Sequence, residues 1–118
     1  MSVRSERVAS LIKEEVSMLV QRNFSMEEYG LVTITDVQMS PDLRNARIFV
    51  SIFGDAARKE ESMALLEGQK KFIRSELGHA IRLKFTPTIA FQLDETLDRA
   101  MNIERIINKI HKEGTEKE

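Results

Sequence analysis

The stretch from Leu31 to Phe53, LVTITDVQMSPDLRNARIFVSIF, predicts two β-strands joined by a turn. Residues of high β-propensity fill both halves, and Ser40-Pro41-Asp42-Leu43 between them has the composition of a tight turn. In the second half apolar side chains fall on every second residue, whereas in the first half this parity changes at Thr35-Asp36. A β-bulge inserts one residue into a strand, so we predict a bulge there that keeps both apolar pairs on one core.

A helix is predicted before this hairpin. Its apolar residues have the spacing of one helical face, namely Val8, Leu11, Ile12, Val16, Leu19 and Val20. Residues 23–30, NFSMEEYG, break this spacing and end in a glycine. We interpret them as the connection into the first strand.

Two helical segments and a third strand are predicted after the hairpin. Asp55 is a candidate N-cap for the first segment. Gly68 interrupts the helical pattern, and because a glycine inside a helix costs about 1 kcal/mol relative to alanine, we predict a kink near it. Pro87 then forces an extended chain, and alternating apolar residues from Ile89 to Leu93 predict the strand.

The resulting order is helix, strand, strand, kinked helix, strand, which predicts an α+β fold. A C-terminal helix is a further candidate, with Thr96 as its cap. Its apolar stripe would be Ala100, Ile103, Ile107 and Ile110. The length of 118 residues suits one domain, which we place at residues 1–113, followed by a polar tail at residues 114–118.

Composition restricts where the protein works. The chain has no cysteine, which excludes disulfides and thiolate metal sites and fits a reducing compartment. It has no run of about 18 apolar residues that could span a bilayer, and its first ten residues lack the apolar region of a secretory signal. We therefore expect a cytoplasmic protein with no membrane partner.

Catalytic patterns are missing from the sequence. The two histidines, His79 and His111, are far apart and have no evident ligand partners. There is no phosphate-binding loop and no dinucleotide-binding glycine motif. The expectation is a protein that is not an enzyme, with no catalytic residues, metal or cofactor.

The net charge of −1 conceals a basic segment. Residues 69–85 carry five basic residues and one acidic residue, the basic ones being Lys70, Lys71, Arg74, Arg82 and Lys84. On a continuous helix, Lys71, Arg74 and Arg82 would share a sector of about 80° away from the apolar stripe, where they would meet phosphates. Lys70 depends on the kink for its direction. Taken alone, such a run is also typical of a solvated helix face.

Side chains near the hairpin are weaker candidates for the same role. Arg44 and Arg47 lie beside the hairpin turn, and taken individually they are uninformative. Phe49 and Phe53 lie on the second strand, where an aromatic side chain can stack on bases. A structural role beneath a crossing helix is the interpretation we favour for these two phenylalanines.

Nearly the whole chain resembles the ribosome-binding factor A family, bacterial maturation factors of the small ribosomal subunit with a type II KH-like fold. No single motif decides this resemblance, but the order and spacing of the matching residues are specific. The matching residues are Arg7-Val8, Thr33-Ile34-Thr35-Asp36-Val37, Ser40-Pro41-Asp42-Leu43, Ala46, Ser51, Phe72-Ile73-Arg74-Ser75, Leu77, Pro87, Phe91 and Asp94-Glu95.

The resemblance implies a single KH-like domain and a monomeric, non-catalytic assembly factor. Its expected partners are 16S rRNA and the free 30S subunit, where it would assist late maturation and processing, especially in the cold. A maturation GTPase is a further candidate partner. RNA contact is implied for Lys70, Lys71, Arg74, Arg82 and Lys84, with Arg44 and Arg47 as weaker members.

Two features depart from related patterns. The GxxG loop with which many KH domains clamp single strands is missing. Where the family tends to have a small-residue Ala-x-Gly kink, this chain has Gln69-Lys70-Lys71. The alternative interpretation is a KH-like protein-interaction module that does not bind RNA directly, with Phe49, Phe53 or the C-terminal apolar stripe as its docking face.

Overall fold

The structure is a computed structural model that describes residues 3–96 and 99–100. Its helices and strands follow the predicted order, with one additional short helix. They are α1 (Val3–Asn23), α2 (Met26–Tyr29), β1 (Val32–Met39), β2 (Asn45–Ile52), α3 (Ala56–Gly68), α4 (Lys70–Ala80) and β3 (Thr88–Leu93). The predicted α+β fold is confirmed.

The three strands form one sheet in the order β1-β2-β3. β1 and β2 are antiparallel, and their register shifts between Ile34 and Asp36, which confirms the predicted bulge. Ile34 and Val37, on either side of it, are both buried. β3 is parallel to β2. Because parallel neighbours need a long crossover, α3 and α4 carry the chain from one to the other.

The hairpin turn is fixed by side-chain hydrogen bonds. Asp42 Oδ1 accepts from Ser40 Oγ at 2.6 Å and from the Arg44 N–H at 3.1 Å. Leu43 takes a left-handed conformation with φ of 62°, and its N–H donates to the Ser40 carbonyl at 2.9 Å. These contacts set where Arg44 leaves the turn.

The core lies between the sheet and one stripe of α1, and it includes the buried side chains Leu66 of α3 and Ile73 and Leu77 of α4. Val8, Ile12, Val16 and Val20 are buried at four-residue intervals. The predicted stripe was too wide, because Leu11 is 45 % exposed. Leu11 lies about 100° from the buried Ile12 and faces outward, whereas Leu19, at the same angle from Val20, is partly buried against the core.

Residues 23–30, expected to be a simple connection, contain the helical turn α2. Ser25 caps it by accepting from the Glu28 N–H at 3.3 Å. Phe24 and Tyr29 stack with ring centroids 4.6 Å apart, and both are buried. The fully buried Ser62 of α3 donates to the Tyr29 carbonyl at 2.7 Å, so this segment is part of the core.

The predicted kink is confirmed. Asp55 caps α3 by accepting from the Arg58 N–H at 2.8 Å. α3 ends at Gly68, α4 begins at Lys70, and the Gln69 N–H between them donates to the Leu66 carbonyl at 3.0 Å. α4 then ends at Ala80, where Ile81 becomes extended.

The chain after β3 is held by Asp94. Its Oδ1 accepts from the Thr96 N–H at 3.0 Å, and its Oδ2 accepts from the Thr35 hydroxyl at 2.7 Å. Asp94 therefore accepts hydrogen bonds from both sides of this point, and the predicted cap at Thr96 concerns a helix that lies mostly outside the described residues. The predicted stripe at Ile103, Ile107 and Ile110 and the tail at 114–118 lie outside the described residues. Within those that are described, no helix combines the length and apolarity needed to cross a bilayer.

Candidate nucleic-acid interface

The loop between α4 and β3, residues 81–87, lies against the end of the hairpin. The Thr88 N–H donates to the Arg44 carbonyl at 2.8 Å, which joins the first residue of β3 to the residue that precedes β2. Residues 44 positions apart in sequence are thus neighbours in space. This contact brings Arg44 beside Lys84 and Phe85.

A cavity of about 400 Å³, here called the Phe85 cavity, separates the α4–β3 loop from the hairpin turn. Phe85 is 52 % exposed. The Arg44 Cζ lies 4.7 Å from the centre of its ring, and the Lys84 Nζ lies 5.6 Å from it. Arg4, near the start of α1, also lines this cavity. Three cations and an exposed aromatic ring therefore share one surface.

A second cavity of about 620 Å³, here called the α4 cavity, adjoins the same loop at Thr86. Lys71, Arg74 and His79 line it together with Thr86. The Arg74 guanidinium donates to the Thr86 carbonyl at 2.9 Å and to the Pro87 carbonyl at 3.2 Å. A guanidinium has five N–H donors, so those not used for the loop remain available to an anion.

The residues that line the two cavities, together called the cationic surface here, are mostly basic or neutral. Among the described residues that line them, Asp42 is the single acid. The hydrogen bond from Ser40, then that from the Arg44 N–H, holds the pKa of Asp42 below its usual value. Asp42 is therefore ionised at neutral pH, and the surface carries five positive side chains, namely Arg4, Arg44, Lys71, Arg74 and Lys84.

Three of the predicted site residues lie apart from this surface or differ from the predicted geometry. Arg82 was expected to share a helical sector with Lys71 and Arg74, but the helix ends at Ala80 and Arg82 is exposed in the loop. Lys70 forms an ion pair with Glu67 at 2.7 Å. Arg47 is exposed among the side chains that alternate with the buried residues of β2, away from the core. The predicted single helical face is therefore wrong, because the helix stops two residues short of Arg82.

Sequence reasoning missed two residues of the surface. Phe85 carries a detectable signal, because it is an aromatic residue that ends the basic segment, next to Lys84 and two residues before Pro87. Arg4 has no such signal, since only the fold brings the start of α1 to the hairpin. The interpretation of Phe53 as covered by a helix is wrong within the described chain, where it is 74 % exposed, while Phe49 is half-buried.

The described residues contain no group of three or more His, Asp or Glu side chains that could hold a metal ion. The chemistry of the surface is instead that of cations and an aromatic face. Such a combination binds phosphates and stacks on planar rings.

Comparison with known proteins identifies relatives of this architecture. A family model described as ribosome-binding factor A matches residues 4–107. A solution NMR structure of a putative ribosome-binding factor A from Thermotoga maritima has 26 % identity and a TM-score of 0.67, covering 78 % of this chain and 88 % of that one.

Two structures from Thermus thermophilus share the fold at 17 % identity. The crystal structure of its ribosome-binding factor A has a TM-score of 0.67 and covers 75 % of this chain and 94 % of that one. A homology model of the same factor, fitted into the cryo-EM map of its complex with the 30S subunit, has a TM-score of 0.65 and covers 76 % and 94 %. On the family match over residues 4–107, this chain belongs to the ribosome-binding factor A family.

Proposed function

We propose that this protein binds 16S rRNA on the immature 30S subunit and assists late maturation and processing without catalysing a reaction. The observation that carries the proposal is the pair of cationic cavities that adjoin the α4–β3 loop. Five cations around one loop suit a polyanion, since each neutralised phosphate releases counterions. The Thermus relative, fitted into the map of a 30S complex, supports the choice of partner.

A role in the cold follows from the energetics of RNA folding. Wrongly paired RNA helices are more stable at low temperature, so an assembling subunit escapes from them more slowly. A protein that binds one RNA conformer more tightly shifts the population toward it by its differential affinity. We therefore propose that a strain lacking the protein accumulates precursor 16S rRNA at low temperature.

Co-sedimentation with purified 30S subunits and 70S ribosomes, across a salt series, tests the binding. If four of the cations each neutralise one phosphate, affinity falls about 50- to 150-fold between about 50 and 200 mM salt. We expect binding to 30S subunits only. Binding that is absent, or that does not weaken with salt, would contradict the proposal.

A matched pair of charge-reversal variants tests whether the cations of the two cavities bind the RNA. Lys71→Glu/Lys84→Glu changes the charge inside the two cavities, and Lys13→Glu/Arg22→Glu makes the same change at exposed positions of α1. The first variant is expected to lose binding, whereas the second keeps most of it. Equal losses would show that net charge alone, and not this surface, governs binding.

A second candidate function is that of a protein-interaction module. Phe53 is 74 % exposed. Met26, the first residue of α2, and Leu31, directly before β1, are 66 % and 50 % exposed. Burial of such apolar side chains would give binding that is nearly indifferent to salt. The salt series therefore separates the two candidates.

A further inference from the structure

Phe85 is exposed where the fold has no structural need for an aromatic ring. It lies in the loop after α4, outside the buried core, and about half of its surface faces solvent. Neighbouring cations accompany the ring, with Arg44 at 4.7 Å and Lys84 at 5.6 Å from its centre. A cation above an aromatic ring stabilises it modestly, but it leaves the remaining apolar surface uncovered.

The cavity beside this ring is suited to a planar group. Its volume of about 400 Å³ lies within the range of about 300 to 1,000 Å³ typical of small-ligand sites. The ring of Phe85 and the guanidinium of Arg44 both offer flat faces on which a nucleobase can stack. Arg4 and Lys84 supply positive charge for the attached phosphate.

Asp42 argues against a bare phosphate as the occupant. Asp42 lines the cavity, and hydrogen bonds from Ser40 and the Arg44 N–H lower its pKa, so it is ionised at neutral pH. A phosphate that filled the cavity would meet this negative charge. A neutral base would not be repelled and could donate an N–H group to the carboxylate.

Double-stranded RNA does not suit this cavity either. In a duplex the bases are stacked on each other, and the protein meets phosphates and ribose hydroxyls. Cations alone would serve that purpose, and an exposed phenylalanine would add nothing to it. The occupant that uses both features is a nucleotide whose base lies outside a helix.

We propose that the Phe85 cavity holds one unpaired ribonucleotide, with its base stacked on Phe85 and its phosphate next to Arg4 and Lys84. This inference rests on the proposed binding of rRNA and adds to it that part of the target is single-stranded. The stacking contact lies in the α4–β3 loop, and a GxxG loop is not needed for it.

A fluorescence experiment tests the stacking contact directly. The chain contains no tryptophan, so Phe85→Trp introduces one reporter, and Phe53→Trp introduces the same reporter at an exposed site on another surface. A base stacked on an indole quenches its emission. We expect a short single-stranded CA-repeat RNA to quench Phe85→Trp strongly, the corresponding duplex to quench it little, and neither RNA to change Phe53→Trp.

Affinities for the same two RNAs, measured by anisotropy at fixed salt, complete the test. Phe85→Ala should weaken binding of the single strand about 5- to 100-fold, while Phe85→Tyr, which keeps the ring, should stay close to the native protein. The salt dependence should be the same in all three proteins, because no charge changes. Circular dichroism confirms that each variant is folded.

The outcomes separate this inference from the proposed function. If the native protein binds RNA with the expected salt dependence but Phe85→Trp is not quenched, or is quenched equally by the duplex, the stacking inference is wrong and the rRNA-binding proposal stands. If the native protein binds neither RNA, the inference and the direct RNA contact proposed for this surface both fail.

Discussion

Replacement of Arg74 by alanine should loosen the α4–β3 loop without unfolding the domain. The guanidinium of Arg74 is the side-chain link from α4 to the carbonyls of Thr86 and Pro87, at 2.9 and 3.2 Å. Pro87 itself is fully buried, so the end of the loop is fixed, while Lys84 and Phe85 before it are exposed. Loss of the two bonds therefore frees the segment that carries the candidate RNA contacts.

The size of the effect follows from the exposure of these bonds. A hydrogen bond from a charged donor contributes about 1.5 to 3 kcal/mol where it is sheltered, and a typical one about 0.5 to 1.5 kcal/mol. Arg74 is exposed, so the lower range applies, and the pair should contribute about 1 to 2 kcal/mol to loop closure. That free energy corresponds to loop opening that is about 5 to 30 times more frequent.

Amide hydrogen exchange measures this opening. The Thr88 N–H, which donates to the Arg44 carbonyl, should exchange about 5 to 30 times faster in Arg74→Ala, provided that exchange occurs by local opening. The Phe53 N–H, bonded to the Leu31 carbonyl at the other end of the sheet, serves as an internal reference and should not change.

Arg82→Ala is the matched control, because it removes the same charge from the same loop, and Arg82 forms no hydrogen bond or ion pair with other described residues. It should leave Thr88 exchange unchanged. Equal acceleration of Thr88 exchange in both variants, or none in Arg74→Ala, would refute the idea that the two Arg74 hydrogen bonds hold the loop. Arg74→Lys keeps the charge but not the two-pronged geometry, so it should restore only part of the protection.

Three further predictions concern stability. Ser62→Ala leaves the buried Tyr29 carbonyl without its donor and should lower the free energy of unfolding, measured in urea, by about 1 to 3 kcal/mol. Ser10→Ala, at an exposed position, should change that free energy little, and equal effects of the two substitutions would contradict this account. Hydrogen bonds from Thr96 and then Thr35 lower the pKa of Asp94 below 3.8, so the stabilisation that they give is present above about pH 4 and is lost as the pH falls through the lowered value. Asp94→Asn should therefore be less stable than the native protein at pH 7. In denaturation curves measured below pH 4, this difference in stability should shrink. A Cβ at Gly68 would meet nothing within 4 Å, so Gly68→Ala should stabilise the domain by about 0.5 to 1 kcal/mol with unchanged RNA affinity, and a loss of stability would show that the kink requires glycine.

The sheet and the kink could be predicted because local chemistry determines them. A strand buried on one face alternates its apolar residues, and the interruption of this pattern at Thr35 marks the bulge that the register shows. Gly68 interrupts the helical pattern and lies at the end of α3. Both signals lie within a few residues of sequence, so they can be recognised without knowing which helix or strand packs against the segment.

The candidate site was harder to predict because contacts between distant segments build it. Helical periodicity placed Arg82 beside Arg74, but the chain becomes extended at Ile81, before that extrapolation reaches Arg82. Arg4 comes to the hairpin only through the packing of α1 on the sheet. No pattern within a window of one helix or one strand contains that information.

Strand register, and not helical periodicity, places Arg44 against Lys84 and Phe85. Because β3 is parallel to β2 and pairs Thr88 with Asn45, the loop that precedes β3 must end beside the residue that precedes β2. A parallel strand can reach that position only by a crossover, so the α4–β3 loop arrives at the hairpin turn whatever its sequence. The fold thus determines where this loop lies, and its side chains determine what it binds. Because Lys84 and Phe85 are exposed, replacing either residue should change what the loop binds and leave the core intact.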